Sequence, residues 1–491
     1  MAGVGFELKK IFKDDGGILN SVKGFSVTAA VTEGPMILTM VTLYANRLLL
    51  KSFNAGYRDE QIYIFIVTYV MIFSLILSNT LLMFMDRFIS DSIYQRKIEN
   101  ILPSFFGLIF ILLLAGVPVS YIYVCTLPMP LWFKTSALIQ FSCMLIIWCQ
   151  MAYLSAIKQY SYELIGFFAG AICSVAASLI MMRLGIYPLK AVMFATCLGF
   201  VIMMFMFMFE LFAYYPLRKF DIFCFLPYLD KYKILIGIGF LMAAGLYSHN
   251  FVFWFSDFRD EIFSTGVFCT RYDVPTFFAT LSIIPLLVQF VVSLETSFSK
   301  KNKTFFDTIL QGGRFIDVEA CKDDMIKTLY RELAHMMEIQ LVFTIVAVTL
   351  IGNFLGTMGL DEQMLGTYRI LCFGYCIYGV VKSIVIVLSY FDDRTGALKG
   401  AALFTGLTAG LSIVTLFMST DLWGTGFLVG CSLAVIYLLI RLKDILDNIE
   451  YKIFCEQPLF VDESTGKFEQ IKNELDEYEN KWREKRDAKR K

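Results

Sequence analysis

Apolar stretches of about twenty residues follow one another along almost the whole chain, and that pattern leaves few folds open. A segment that crosses hydrocarbon needs roughly 20 mostly apolar residues, and its backbone must close its own hydrogen bonds because lipid offers none. Such stretches fall at about 25–50, 62–85, 101–126, 134–158, 164–184, 189–215, 234–256, 276–298, 338–358, 366–390, 398–418 and 422–442. The expected fold class is an all-α polytopic membrane protein with about 12 transmembrane helices. Composition matters where it departs from soluble norms: 57% of residues are hydrophobic and 18% charged, where soluble domains hold roughly 45–50% and about 25%. The first stretch is too long for a signal-peptide core and has no small-residue cleavage site ahead of a soluble domain, so it reads as a span.

Charge orients the spans. Lys9, Lys10, Lys13 and Lys23 precede the first one. With the N-terminus inside, 33 of the 43 Lys and Arg fall on the inner side and 9 on the outer, and Lys382 lies within a span. This asymmetry predicts an even number of spans and both termini in the cytoplasm, and the expected location is a cytoplasmic (inner) membrane. Lys plus Arg equals Asp plus Glu, so no net basic charge points to nucleic acid. Trp132, Trp254 and Trp423 fall at outer span edges, where an interfacial belt is expected. The spans divide six and six around a basic segment, as in two-lobed transporters. The organisation then reads as an amphipathic cytoplasmic segment at 1–24, a six-helix bundle at 25–215, a cytoplasmic linker at 216–233, a second six-helix bundle at 234–442 with a cytoplasmic amphipathic insertion at 299–337, and a charged cytoplasmic tail at 443–491. Pro35, Pro118 and Pro285 are expected to kink their spans. Gly166 with Gly170, Gly406 with Gly410, and Gly426 with Gly430 are expected to mark close helix packing.

Soluble catalysis has little to work with. His249 and His335 are the two histidines, so the commonest general base and metal ligand is nearly absent. The 12 cysteines include no CxxC pair and sit mostly in apolar runs, where Cys acts as a small hydrophobe. There is no Walker A sequence. Asp393-Arg394-Thr395-Gly396 imitates a phosphorylation motif, but the next span follows at once and leaves no room for catalytic domains. Asp323-Asp324 and Asp392-Asp393 read as solvated loop charges. The expectation is no catalytic site, no metal and no cofactor.

Charges inside spans are costly and need a reason. Glu33, just before Gly34-Pro35, and Lys382 in the tenth span each lie about eight residues from the cytoplasmic side, which is roughly 12 Å deep. Equal depth and opposite sign fit a pair facing one cavity. The alternatives are snorkelling by Lys382 and service of free backbone donors by Glu33. Arg47, His249 and Glu295 are further substrate-path candidates, or else interfacial residues. Two cytoplasmic stripes suit docking. Ile326, Leu329, Leu333 and Met336 recur at helical spacing in the insertion, and Phe468, Ile471, Leu475, Tyr478 and Trp482 step as a heptad in the tail. The tail stripe covers either a partner protein or else this chain's own cytoplasmic loops or the lipid face.

Several words in the sequence resemble a known family. Met1-Ala2-Gly3-Val4-Gly5-Phe6-Glu7-Leu8-Lys9-Lys10 is similar to the N-terminus of the PelG family, the membrane subunits of the Pel exopolysaccharide export system. Gly34-Pro35, Trp254-Phe255-Ser256, Tyr272-Asp273, Ile283-Ile284-Pro285, Glu295-Thr296 and Tyr390-Phe391-Asp392 carry the resemblance onward to about residue 440. Glu33 stands where that family usually has a small residue. The resemblance implies two six-helix bundles in a V, as in flippases of the multidrug/oligosaccharidyl-lipid/polysaccharide exporter (MOP) superfamily. It implies export of an amino-sugar polymer for a biofilm matrix. It also implies a cytoplasmic PelF-like glycosyltransferase, a PelD-like cyclic-di-GMP receptor and a PelE-like scaffold as partners. Read from the residues alone, a major-facilitator carrier of small solutes and a non-transporting scaffold of a synthase remain alternatives. The loop after the second span lacks the glycine that a major-facilitator signature would show.

Overall fold

The computed structural model describes residues 34–156, 160–217, 221–293, 297–357, 360–454 and 466–477. The first bundle is built from α1 (Gly34–Ser52), α2 (Tyr57–Tyr94), α3 (Ile101–Thr126), α4 (Leu131–Ser155), α5 (Tyr160–Arg183) and α6 (Pro188–Tyr214). A short linker helix, α7 (Leu226–Tyr232), leads into the second bundle. That bundle begins with α8 (Ile234–Trp254), followed by a hairpin of β1 (Asp260–Phe263) and β2 (Gly266–Phe268). It continues through α9 (Thr270–Leu281), α10 (Ile284–Ser293), α11 (Ser299–Leu310), α12 (Phe315–Val346) and α13 (Gly352–Thr357). It closes with α14 (Glu362–Tyr390), α15 (Arg394–Leu416), α16 (Thr425–Asp447) and α17 (Ile449–Phe454), and a tail helix, α18, occupies 467–477. Eleven of these helical stretches are long and apolar enough to cross a membrane. The 19-residue apolar α1 sits beside them, in keeping with about 12 spans in two six-helix bundles.

Small residues set how closely neighbours approach. A Cβ on Gly170 would lie 2.8 Å from the carbonyl oxygen of Gly199, and one on Gly199 2.7 Å from that of Gly170. So α5 and α6 meet backbone to backbone, which larger side chains forbid. Gly426 and Gly430 do the same for α16, against the backbone of Leu411 and Thr408 on α15. Gly406 and Gly410 depart from expectation: nothing lies within 4 Å of either Cβ position. Their spacing alone did not make them a contact.

Polar residues tie the first bundle from inside. Asn46 Nδ2 donates to Tyr63 Oη at 3.1 Å and to Ser174 Oγ at 3.3 Å, and Tyr63 Oη lies 3.1 Å from Thr196 Oγ1. One cluster therefore joins α1, α2, α5 and α6 in a setting where unmade hydrogen bonds are expensive.

The eighth span is broken rather than kinked. Pro285 has no N–H to give the helix, and the helix stops at Leu281 and restarts at Ile284. Gln340 of α12, fully buried, enters the gap. Its Oε1 accepts from Leu286 N at 3.0 Å and its Nε2 donates to Ser282 O at 2.8 Å. These two backbone groups would otherwise bond each other along a regular helix. A π-helical turn at Ala347–Ile351 interrupts the ninth span one level away, and Tyr368 Oη donates to the Ala347 carbonyl at 3.1 Å. Pro118, by contrast, lies within a continuous α3.

The insertion at 299–337 holds the helix that its periodicity predicts, and that helix is continuous with the ninth span. The second half of the insertion is the start of α12, which runs from Phe315 to Val346 without Gly or Pro to stop it. Helical periodicity in the polar part and apolarity in the membrane part belong to one rod. Asp393 also differs from the solvated charge expected. It is buried and accepts from Arg441 Nε at 2.7 Å and Nη2 at 2.9 Å while capping α15 through Gly396 N.

Candidate transport path between the bundles

The bundles meet chiefly along α2 and α8. A Cβ on Gly239 would stand 2.3 Å from the carbonyl oxygen of Asn79, so the two helices cross in backbone contact. At both ends of this crossing, side chains from the two bundles interlock. We distinguish a hairpin end, at β1–β2, and a linker end, at α7.

At the hairpin end the join is aromatic. Tyr69 of α2 stacks on Trp254 of α8, with centroids 4.9 Å apart and rings 2° from parallel. Tyr123 of α3 stacks on the other side of Tyr69 at 5.7 Å. Phe73 and Phe251 repeat the contact one turn deeper. Tyr69 Oη donates to Val267 O at 2.6 Å, and Tyr123 Oη to Thr265 O at 3.0 Å, so the hairpin is pinned to the first bundle. Asp273, in the first turn of α9, accepts from Asn250 Nδ2 and Trp254 Nε1, both at 2.7 Å, and from Cys269 N at 3.0 Å. Burial pushes the Cys269 thiol up to about 12, which keeps it neutral. Trp254 and Trp423 are buried in these clusters rather than spread in an interfacial belt. Trp423 packs edge-on to Phe253 and Phe258 at 4.8 and 4.9 Å. Position at an outer edge identified the level of these rings but not their packing partner.

At the linker end the join is cationic and aromatic. The guanidinium of Arg394 (α15) lies 4.3 Å from the ring centre of Tyr232 (α7), and that of Arg87 (α2) lies 5.4 Å from it. Arg394 Nη1 also donates to Lys231 O at 2.6 Å, and its other nitrogens bind Asp392 at 2.7 Å. Thus first bundle, linker and second bundle share one ring. The tail docks beside it. Asp230 accepts from Phe468 N and Glu469 N, each at 3.1 Å, at the start of α18. Lys472 is buried and bridges Asp221 at 3.0 Å and Asp476.

The sequence-derived candidates are dispersed. Arg47 pairs with buried Glu60 at 3.2 Å within the first bundle. His249 is fully buried, with Nδ1 2.8 Å from Tyr272 Oη and its ring 4.2 Å from Phe427. Lys382 is half-buried on α14. Glu33 and Glu295 lie outside the described residues, as do Tyr478 and Trp482. None of Arg47, His249 and Lys382 contacts another of the three by hydrogen bond or ion pair. Leu329 is buried in the chain's own core, and Leu333 and Phe468 pack against that core half-buried. Ile471 and Leu475 remain exposed at 45% and 40%. Tyr69, Tyr123 and Tyr232 were not singled out by the sequence. Tyrosine is common here, and no local spacing distinguishes a bridging ring from a core one.

Two bundles joined at both ends around a crossing of α2 and α8 give the chain the fold of the MOP-superfamily transporters. Solved structures of that class superpose on the chain. They include an outward-facing multidrug resistance MATE family transporter of the MOP superfamily (TM-score 0.63, 11% identity, covering 92% of this chain and 99% of that one). A MATE in complex with MaD5 gives 0.60 at 12% identity over 91% and 100%. A MOP superfamily transporter from Pyrococcus furiosus gives 0.54 at 10% identity over 91% and 99%. Among curated proteins none matches. The profile of the PelG exopolysaccharide exporter family (EPS-E) matches residues 1–454, and the chain belongs to that family.

Proposed function

We propose that this chain carries an amino-sugar exopolysaccharide of the Pel type across the bacterial cytoplasmic membrane during biofilm matrix production. A cytoplasmic PelF-like glycosyltransferase supplies the polymer, and PelD-like and PelE-like membrane proteins assemble with it. The family supports export of an exopolysaccharide. The observation that carries the path is the pair of closures, Tyr123–Tyr69–Trp254 at one end and Arg87–Tyr232–Arg394 at the other. Both span the two bundles, so each must part for anything to pass between them. Parallel rings at the hairpin end offer flat apolar faces, on which sugar rings stack once the Tyr69–Trp254 contact opens. We assign the linker end to the cytoplasm from the excess of Lys and Arg there. The MATE-like fold leaves a major-facilitator carrier without support, and a non-transporting scaffold is the remaining rival.

Inverted membrane vesicles containing the chain, the glycosyltransferase and the membrane partners test the proposal. With nucleotide sugar added outside, polymer protected in the lumen is expected only when this chain is present. Equal polymer left outside with and without the chain would overturn the conduit role and leave the scaffold. Glu33 and Lys382 remain a proposed pair in the path. Each single charge reversal is expected to stop export and the double reversal to restore it, and a double reversal as inactive as either single one would sink the pairing.

A further inference from the structure

The open face of α15 leaves a shaped space unfilled. Between α15 and α16 lies a groove of about 510 Å³ lined by Lys399, Ala402, Leu403, Gly406, Leu407 and Tyr437. Gly406 forms part of its floor, and nothing stands within 4 Å of the position its Cβ would take. Gly400, on the packed side of the same helix, would drive a Cβ to 2.3 Å from Leu438. The groove is therefore on the surface turned away from the bundle, where the surrounding medium is lipid. Lys399 enters the apolar helix five residues after Arg394, roughly 8 Å from the linker end. It is exposed and has no carboxylate at ion-pair distance among the described residues. The neighbouring cations are satisfied: Arg394 by Asp392, and Arg441 by Asp393 and Asp444.

We infer that this groove binds an anionic phospholipid of the leaflet at the linker end. An acyl chain lies over Gly406 between Leu403 and Leu407, and the headgroup phosphate meets the Lys399 ammonium and the Tyr437 hydroxyl. The argument for this occupant is charge and depth. An unpaired ammonium at the edge of hydrocarbon seeks an anion, its four-carbon stem reaches toward headgroup level, and the anion available there is a lipid phosphate. A second transmembrane helix would suit the glycines but would bury Lys399 unpaired.

Native mass spectrometry of the purified full-length protein, released from detergent after addition of phosphatidylglycerol or phosphatidylcholine, reads the site directly. The wild type is expected to retain one more phosphatidylglycerol than Lys399→Gln, with phosphatidylcholine binding unchanged between them. Gly406→Leu, which fills the groove without touching the bundle, is expected to lose the same one lipid while unfolding at the wild-type temperature. Equal phosphatidylglycerol retention by wild type and both variants would overturn the proposal. A drop from dimer to monomer in Gly406→Leu, with lipid retention unchanged, would overturn it in favour of a second copy of this chain.

Discussion

Asp393 shows how one residue's neighbours override its sequence context. In the chain it sits beside Asp392 at a helix start, as a solvated loop charge would. In the fold it is buried and doubly held by Arg441. Removing one partner of a buried pair strands the other, a cost of several kcal/mol when both are buried. Arg441 is about a third exposed, so water recovers part of that cost. Asp393→Ala is expected to destabilise by about 2 kcal/mol, read as earlier loss of the monodisperse peak after heating in detergent. Asp392→Ala, whose carboxylate is exposed beside Arg394, should change little in the same assay. The residue types were legible in both cases. Their burial was not, because the partner lies on another helix.

At the scale of the element, the eighth and ninth spans are the informative ones. Pro285 announced a disturbance, and a kink was the natural expectation. The outcome is a break, because Gln340 supplies both hydrogen bonds that the helix gives up. Gln340→Leu keeps the volume and removes both partners. Leu286 N keeps its bond to Ile283 O at 3.0 Å, so the expected cost is about 1–3 kcal/mol for the stranded Ser282 carbonyl, with slower export if the break acts as a hinge in opening. An export rate and a melting temperature that both match wild type in Gln340→Leu would show the bridge to be dispensable. The apolar lengths of these spans were plain from the sequence. The side chain that fills the gap was hidden, since a single Gln in an amphipathic helix carries no local sign of its partner.

For the whole molecule, the two joins between the bundles and the docked tail are the long-range contacts that tie the parts together. The tail helix reaches the linker through Asp230 and Lys472. Burial pulls the Lys472 ammonium down, but its hydrogen bonds to Asp476 and Asp221 outweigh that and raise it above the ordinary lysine value. A raised lysine contributes its stability below the unfolded value and loses it as pH climbs through the folded one. Tail docking should thus hold through neutral pH and loosen only in strong alkali. Lys472→Met is expected to free the tail already at neutral pH, seen as faster proteolysis near residues 466–477 with the membrane core intact. Proteolysis identical to wild type would mean that Asp230 alone suffices. At the opposite end, Tyr69→Phe keeps the ring stack and removes the bond to Val267, at a cost of about 1 kcal/mol, whereas Tyr69→Ala should also open the seam and leave the hairpin hydrogen-bonded to the first bundle through Thr265. Accessibility of a cysteine introduced at Thr265 to a membrane-impermeant thiol reagent, in a background lacking Cys125 and Cys269, separates the two.

The sequence by itself determined that this is a membrane protein of about 12 helices in two groups of six. Span length and charge placement are local properties, and lipid enforces them segment by segment. It also carried enough words to indicate the exporter family. Only the tertiary structure decided which surfaces meet. The spacing of Gly406 and Gly410 matches that of Gly426 and Gly430, yet one pair faces open space and the other a helix. Trp254 reads as an interfacial residue until Tyr69, far away in the chain, is found stacked on it. The physical reason is the same in each case. Hydropathy fixes that a helix is buried in lipid or protein, but the partner of each face is set by long-range packing of two bundles, to which no single segment holds the answer.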